Sequence, residues 1–481
     1  MNKVVTFLLI LAGTAMAAEA KQAASERATE ERLSFQTSGP WSPRVNLDAD
    51  VVMVYGIGPQ LPAKIETWRE HGYTIHVMTG VAWGEYQDYL NGAFDGVNHW
   101  DEAQMDSKGE LILHGGNKTI PYISPGINYG RYLTLGVKRV LDAGAQAVYL
   151  EEPEFWAAGG WEESFRREWE AFYGEEWSAP DSSPDAQYRA SKLKYFLYRR
   201  ALSQIFDFVK GYRKQSGRVI HCYVPTHSLI NYAQWRIVSP ESSLIQVGAD
   251  GYIAQVWTGT ARTPNLYEGR REERTFETAF LEYGAMQNLV RASGRRVWYL
   301  NDPIEDDPNH TWDDYRSNWE NTLTASLLRP EVWSYEIMPW PERVFTGKYP
   351  VKSVVVEKPV SEAGQVPKGT GLGAVLRPSG DVERVPIPKP YETELQAVIH
   401  ALGAFRHARN RGPCFRYDDV PARRTESFRS KSRGFLRTRL ATTEARIAGG
   451  TCADRECQRA RQLEPIPAVA VDVRGAKATY A

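Results

Sequence analysis

The sequence predicts a (β/α)8 barrel followed by a short β-rich extension and an irregular basic tail. Three observations carry that expectation. Between Asp50 and Trp340, eight short apolar runs alternate mostly with helical patterns. The runs are nearly continuous in apolar residues, as strands of a parallel sheet buried on both faces are. A doubly wound open sheet would carry a glycine-rich phosphate turn after its first strand. Here Gly56-Ile57-Gly58-Pro59-Gln60-Leu61 lacks the third glycine, and Pro59 removes a donor amide.

Asp50 to Gly56 is a β-branched run ending at glycine and reads as the first strand. Leu61 to His71 has helical spacing, and Tyr73 to Met78 is the second strand. A long polar excursion, Gly84 to Asn117, follows; loops of that length in a barrel usually carry function. Thr119 to Ser124 reads as the third strand, Tyr132 to Ala143 as a helix, and Ala147 to Leu150 as the fourth strand. The long helix Ala186 to Lys214 leads to the fifth strand, Arg218 to Val224. A helical stretch from Leu229 to Ile237 precedes the sixth, Gly251 to Trp257. The amphipathic run Thr275 to Ala292 precedes the seventh, Val297 to Leu300. Thr311 caps a helix reaching Leu328, with Asp314 as its capping-box acid, and Val332 to Ile337 is the eighth strand.

The ends differ from the middle. Lys3, the apolar run Val4 to Ala12 and the Ala15-Met16-Ala17 site read as a cleavable signal peptide over residues 1–17, hence a secreted or periplasmic protein. Residues 18–44 read as a polar lead-in and 45–345 as the barrel. Residues 346–403 read as a β-rich extension or the start of a second domain, with Tyr391 to Leu402 an amphipathic helix. From Ala404 onward, fifteen Arg and two Lys face eight acids, so the tail carries about +9 although the whole chain carries −1. All fifteen Trp lie at or before Trp340, and three of the four Cys lie in the tail. Residues 404–481 therefore read as a disordered basic tail, as out-of-frame translation, or as a small module bridged by two of Cys414, Cys452 and Cys457. The acidic remainder suits a neutral sugar, gives no nucleic-acid surface, and contains no run long enough to span a membrane.

In a barrel, chemistry sits at the C-terminal ends of the strands. The residues at those ends are rich in acids and Trp: Trp83, Glu151, Glu152, Glu154, His227, Trp257, Asn301, Asp302, Glu305, Glu336 and Trp340. That composition suits glycoside hydrolysis, in which two carboxyl groups serve an oxocarbenium-like transition state and aromatic faces stack on sugar C–H faces. In Glu151-Glu152-Pro153-Glu154-Phe155-Trp156, three acids in four residues repel one another, which raises at least one pKa toward what a general acid needs. Trp156 lies outside the helical spacing of Trp161, Phe165 and Trp169 and is assigned to substrate, as are Trp83, Trp257 and Trp340. His227 is read as a sugar-hydroxyl partner. No cofactor or metal is expected: the amidohydrolase layout needs His-x-His after the first strand, where this chain has Tyr55-Gly56-Ile57.

With Leu150-Glu151-Glu152-Pro153 at the end of the fourth strand, the chain resembles the retaining (β/α)8 glycosidase clan that includes the family 42 β-galactosidases. There the acid/base Glu follows an Asn, often before Pro. The resemblance assigns the acid/base role to Glu152, with Glu151 standing where Asn is usual. It places a nucleophile at the end of the seventh strand, in Leu300-Asn301-Asp302-Pro303-Ile304-Glu305. Asp302 is nearest the strand, Glu305 matches the residue type, and Glu336 in the eighth strand is a third candidate. Retention of configuration is implied by the resemblance alone. Glu151, Glu154 and Asn301 are grouped with the substrate-binding residues. The reading that competes from another class is a non-catalytic carbohydrate-binding barrel, which would keep the aromatics without needing paired acids.

Overall fold

The computed structural model describes residues 31–114, 119–256, 258–304, 309–329, 331–354 and 382–404. Its centre is a closed barrel of eight parallel strands. They are β1 (Leu33–Thr37), β2 (Val51–Tyr55), β3 (Thr74–Gly80), β4 (Ala147–Glu151), β5 (His221–Thr226), β6 (Gly251–Ala254), β7 (Arg296–Asn301) and β8 (Ser334–Ile337). Each strand pairs with its neighbours in chain order, and β8 closes on β1 through Leu33 opposite Tyr335. The helices follow the apolar spacing. They are α1 (Leu61–Arg69), α2 (Tyr129–Asp142), α3 (Glu163–Tyr173), α4 (Pro184–Ser216), α5 (Leu229–Trp235), α6 (Glu241–Val247), α7 (Thr275–Arg291) and α8 (Trp312–Leu327). Thr311 caps α8 as expected, its Oγ1 accepting from Asp314 N at 3.2 Å.

Two strand assignments change. Leu33–Thr37, read from sequence as polar lead-in, is the first barrel strand. Its Leu33 and Phe35 are buried in the main core. Ser34 shows why the signal was weak: it too is buried, its hydroxyl donating to Tyr335 O at 3.1 Å. Thr119 to Ser124 is not a barrel strand. It folds back within the excursion after β3, bridging antiparallel at Leu113–Pro121 and Ala103–Ile123. Pro121 lacks the donor that a strand paired on both edges needs at its centre. The two changes offset, so β4, β7 and β8 keep their positions in the barrel order.

The extension also changes character. Its described part holds a two-residue strand pair, Tyr349–Pro350 with Arg384–Val385, and then helix α9 (Lys389–Ala404). Leu395, Ile399 and Leu402 of α9 are buried in the main core, and Arg316 of α8 pairs with Glu394 at 2.9 Å. Arg32, at the foot of β1, donates to Leu402 O. The helix thus covers the wall between α8 and β1, and the barrel unit runs from about residue 31 to 404 rather than from 45 to 345. The signal-peptide residues 1–17 and the tail beyond 404 lie outside the described residues.

Inside the barrel, strand alternation decides what meets the axis. Val51, Met53, Met78, Ala147, Tyr149, Tyr223, Ile253, Trp298 and Leu300 form one packed cluster, with Tyr55 at its edge. By the same period of two, Glu151 follows Ala147 and Tyr149 on the inward face of β4. Glu336 follows Ser334 on β8, where Ser334 meets Arg296 at the foot of the barrel. No helix among the described residues is long and apolar enough to cross a membrane.

Candidate active site

The top of β4 is built to present carboxylates. Val81 N donates to Glu151 O at 2.7 Å, and Glu152 N to Pro225 O at 3.0 Å, so the neighbouring strands grip both glutamates. Glu152 has φ 50°, a left-handed conformation that an L side chain adopts at a cost of about 1–3 kcal/mol. Glu154 N then donates to Glu152 O at 2.8 Å, closing a three-residue turn. Of the six described non-glycine residues with positive φ, Glu152, Met338 and Trp340 all lie at the tops of β4 and β8. Half of these positive-φ residues thus gather at one end of the barrel.

The three acids after β4 have different surroundings. Glu151 is buried on the inward face, accepting from Tyr55 OH at 2.7 Å and from Gln255 Nε2 at 3.1 Å. Burial first, then the neighbouring Glu152, pushes its pKa far above the usual carboxylate range. Glu152 is the more open group, with 14% of its side chain exposed. Its Oε2 accepts from Trp83 Nε1 at 2.9 Å, and its Oε1 from Gln255 Nε2 at 3.2 Å. Burial and Glu154 raise it, His227 and the two donors restrain it, and it settles at about 7. Glu154 is fully enclosed, bonded to His227 Nδ1 at 2.9 Å, and burial lifts it to about 8.

Asp302 and Glu336 stand at the tops of β7 and β8. Asp302 Oδ2 accepts from Arg343 Nη2 at 2.9 Å, and Oδ1 from Ile304 N at 3.1 Å, contacts that favour the charged carboxylate. Glu336 is buried, and burial followed by the charge of Asp302 raises it to about 8 against the pull of Arg343. Asp302 thus has a guanidinium partner at hydrogen-bond distance, whereas burial favours the protonated form of Glu336. Glu336 also adds to the rise of Glu151, which places the two inward-facing acids within electrostatic reach.

The aromatics take other roles than those expected. Trp83 is not an open platform: His114 stacks on it at 3.6 Å and Tyr55 lies near-parallel at 6.0 Å. Its function is to donate to Glu152. Gly80 makes that position available, since a Cβ there would fall 2.2 Å from Trp83 O. Trp156 is buried, its ring edge-on to Tyr122 at 5.6 Å. Trp340 is half-buried and tilted against Tyr55 at 5.5 Å. Asn301 is displaced from the site altogether. It follows the inward Leu300, so its amide turns outward to Tyr283 OH and Thr322 Oγ1, both at 3.3 Å. Glu154 and His227 face each other rather than the opening. Glu305 and Trp257 lie outside the described residues.

Sequence reasoning missed Tyr55, Gln255 and Arg343. Tyr55 and Gln255 each stand at the end of an apolar run, on the inward parity that strand alternation predicts. Arg343 lies 41 residues beyond its partner Asp302, and no local pattern announces it. Glu152, Glu154 and His227 bring ligand-type atoms within 4.8 Å of one another, close enough for a cation to share. His227 Nδ1 bonds to Glu154 at 2.9 Å, while His227 Nε2 faces Glu152 at 3.7 Å, beyond hydrogen-bond length.

No family model and no curated protein matches the chain. Among solved structures it is similar to the PgaB (BpsB) glycoside hydrolase domain from Bordetella bronchiseptica, at 9% identity over 64% of this chain and 94% of that one, with a TM-score of 0.45. It is similar also to a trehalulose synthase mutant in complex with Tris, at 10% identity over 79% and 84%, with a TM-score of 0.46. A third is the glycoside hydrolase domain of PelA from Pseudomonas aeruginosa, at 12% identity over 64% and 94%, with a TM-score of 0.34.

Proposed function

We propose that the barrel is a glycoside hydrolase in which Glu152 is the general acid/base and Asp302 its ionised partner. One observation supports this reading: the strand tops carry a buried carboxyl group of raised proton affinity, Glu152, and a second, Asp302, bonded to a guanidinium. Glu152, at about 7, keeps a proton to give at neutral pH. Asp302 accepts from Arg343, a contact that favours the charged carboxylate. A proton donor and a carboxylate are what glycoside cleavage requires. The bond from the anomeric carbon to the leaving oxygen breaks. Its electron pair stays on that oxygen, which takes the proton from Glu152, while the carboxylate meets the positive anomeric centre.

The resemblance of Glu152-Pro153 to the retaining clan supports direct attack by Asp302 and retention. Carboxyl separations of about 5–5.5 Å go with retention and about 6.5–9.5 Å with inversion. The NMR signal of the first-formed anomer decides between them. Residues 1–17 support export to the periplasm or medium, and a mature N-terminus at Ala18 tests it. For the activity itself, the purified protein is screened on aryl glycosides and polysaccharides, and the active pair is repeated with Glu152→Gln and Asp302→Asn. A loss of about 10²–10⁴-fold in each variant is expected, with sugar binding retained. Full turnover in Glu152→Gln rejects the assignment; binding without turnover in the wild type leaves a carbohydrate-binding barrel.

A further inference from the structure

Behind Glu152 lies a buried acid–imidazole pair that cleavage as written above leaves idle. We propose that His227, held by Glu154, is a positioning residue for Glu152: its Nε2 faces the Glu152 carboxyl and supports the carboxylate left when the proton departs. The inference rests on the reading of Glu152 as proton donor.

The geometry is that of a three-member chain. Glu154 Oε1 lies 2.9 Å from His227 Nδ1, and His227 Nε2 lies 3.7 Å from Glu152 Oε1. With Nδ1 committed to Glu154, Nε2 is the ring atom left to face Glu152. The ring is fixed from several sides. Trp235 packs edge-on at 4.6 Å, and His227 N donates to Tyr232 OH at 3.3 Å. Ser228 and Asn231 form a capping box at the start of α5, and Asn231 Nδ2 donates to Glu282 Oε1 at 2.5 Å. Swinging the imidazole away would break its bond to Glu154 and its contact with Trp235.

Burial, which keeps Glu154 protonated near neutral pH, also sets the tautomer. A protonated Glu154 donates to Nδ1 and leaves the ring proton on Nε2, aimed at Glu152. In the cleavage step the O–H bond of Glu152 breaks and a new O–H bond forms on the leaving oxygen. The carboxylate then meets Nε2–H. Closing 3.7 Å to a hydrogen bond takes about 0.8 Å of movement by Glu152, which is the freest of the three side chains. When a later water attacks, its proton restores Glu152 and the contact relaxes.

Other groups face this chain. Glu151 lies beside Glu152 in sequence, and Trp83 and Gln255 donate to Glu152. Tyr122, Tyr198, Tyr232 and Glu241 all feel the charge of Glu154. Against that background His227 and Glu154 act on Glu152 with opposite sign, His227 lowering and Glu154 raising its proton affinity.

The test is a ¹³C NMR titration of the Glu152 carboxyl in the full chain, its signal assigned by loss in Glu152→Gln. His227→Asn keeps a partner for Glu154 but withdraws the atom facing Glu152. Its midpoint is expected to rise by about 0.5–1 pH unit. Glu154→Gln offers Nδ1 a neutral donor, as the protonated Glu154 does, and its midpoint is expected to stay close to the wild type. His227→Gln, which reaches Glu152 without Glu154, is expected to return toward the wild type and serves if the Asn variant fails to fold. A His227→Asn midpoint that does not rise, or a Glu154→Gln midpoint that moves as far as it does, overturns the proposal. Because no substrate is needed, the outcome is separate from the activity reading. If the midpoints move as stated but Glu152→Gln hydrolyses normally, the donor assignment falls and the coupling stands.

Discussion

Arg343→Met is the most informative perturbation of the negative side of the site. Arg343 Nη2 lies 2.9 Å from Asp302 Oδ2, and the two side chains are 20% and 5% exposed. At an effective dielectric of about 20, unit charges at that separation attract by about 6 kcal/mol. Desolvation offsets much of this, but only while both charges are present. Removing the guanidinium alone leaves a buried carboxylate, for which the expected loss of stability is about 3–5 kcal/mol. Denaturant unfolding at pH 7 measures it. Arg343→Met/Asp302→Asn should recover much of the loss, because the amide needs no countercharge. The catalytic signature has a defined sign. Without Arg343 the proton affinity of Asp302 rises, so the acid limb of kcat/KM moves to higher pH. A loss under about 1 kcal/mol, with an unmoved acid limb, would refute the claim that Arg343 holds Asp302 ionised.

Stability should fall as pH rises. Glu154, Glu282 and Glu336 sit at about 8 when folded and near 4.5 when unfolded. Above pH 4.5 the native state therefore binds more protons than the unfolded one, so stability decreases through pH 5–8. Melting temperatures at pH 5.5 and 8.5 check the direction, and Glu336→Gln should flatten the slope. A chelator should leave turnover intact, as the role of Glu152 as proton donor requires; loss restored by a divalent cation would reassign Glu152, Glu154 and His227 as a metal site. Leu395→Ala, at a fully buried position of α9, should cost about 2–5 kcal/mol, as a barrel-wall residue would and a loose appendage would not. Urea midpoints read that cost.

The barrel was legible because hydrophobic periodicity survives wherever a strand is apolar on both faces, as in β2, β3 and β4. It failed where one face is polar. Ser34 and Gln36 interrupt β1, and the Leu33–Phe35 alternation that remained is too short to stand out. It failed again at Thr119 to Ser124, where apolar content outweighed Pro121. The glutamates after β4 were legible because a strand ending in three acids is costly without a use for them. Their division of labour was not. That Glu151 faces inward, Glu152 the opening and Glu154 a histidine follows from the left-handed turn at Glu152, which no composition announces. Asn301 was misplaced by one residue of strand parity, enough to move a side chain from the axis to the helices.

The charge pattern also narrows what the cleft can accept. Glu151, Glu152, Glu154, Asp302 and Glu336 gather at the strand tops, and the described contacts set Arg343 against Asp302 and Glu336. If all five acids were ionised at neutral pH, their repulsion in a buried site would exceed what one guanidinium offsets. The site lowers that cost by keeping protons, with Glu151, Glu154 and Glu336 all raised. A site in that state carries less negative charge than five carboxylates would, and it has protons to hand to a leaving oxygen. An anion-binding barrel would instead place a glycine-rich, positively poised turn after β7 or β8. Here β7 runs into Asp302, and β8 carries Glu336. The same raised proton affinities that spare the strand tops five repelling charges are those a proton donor uses, so the burial of the acids and the proposed chemistry are one feature seen from two sides.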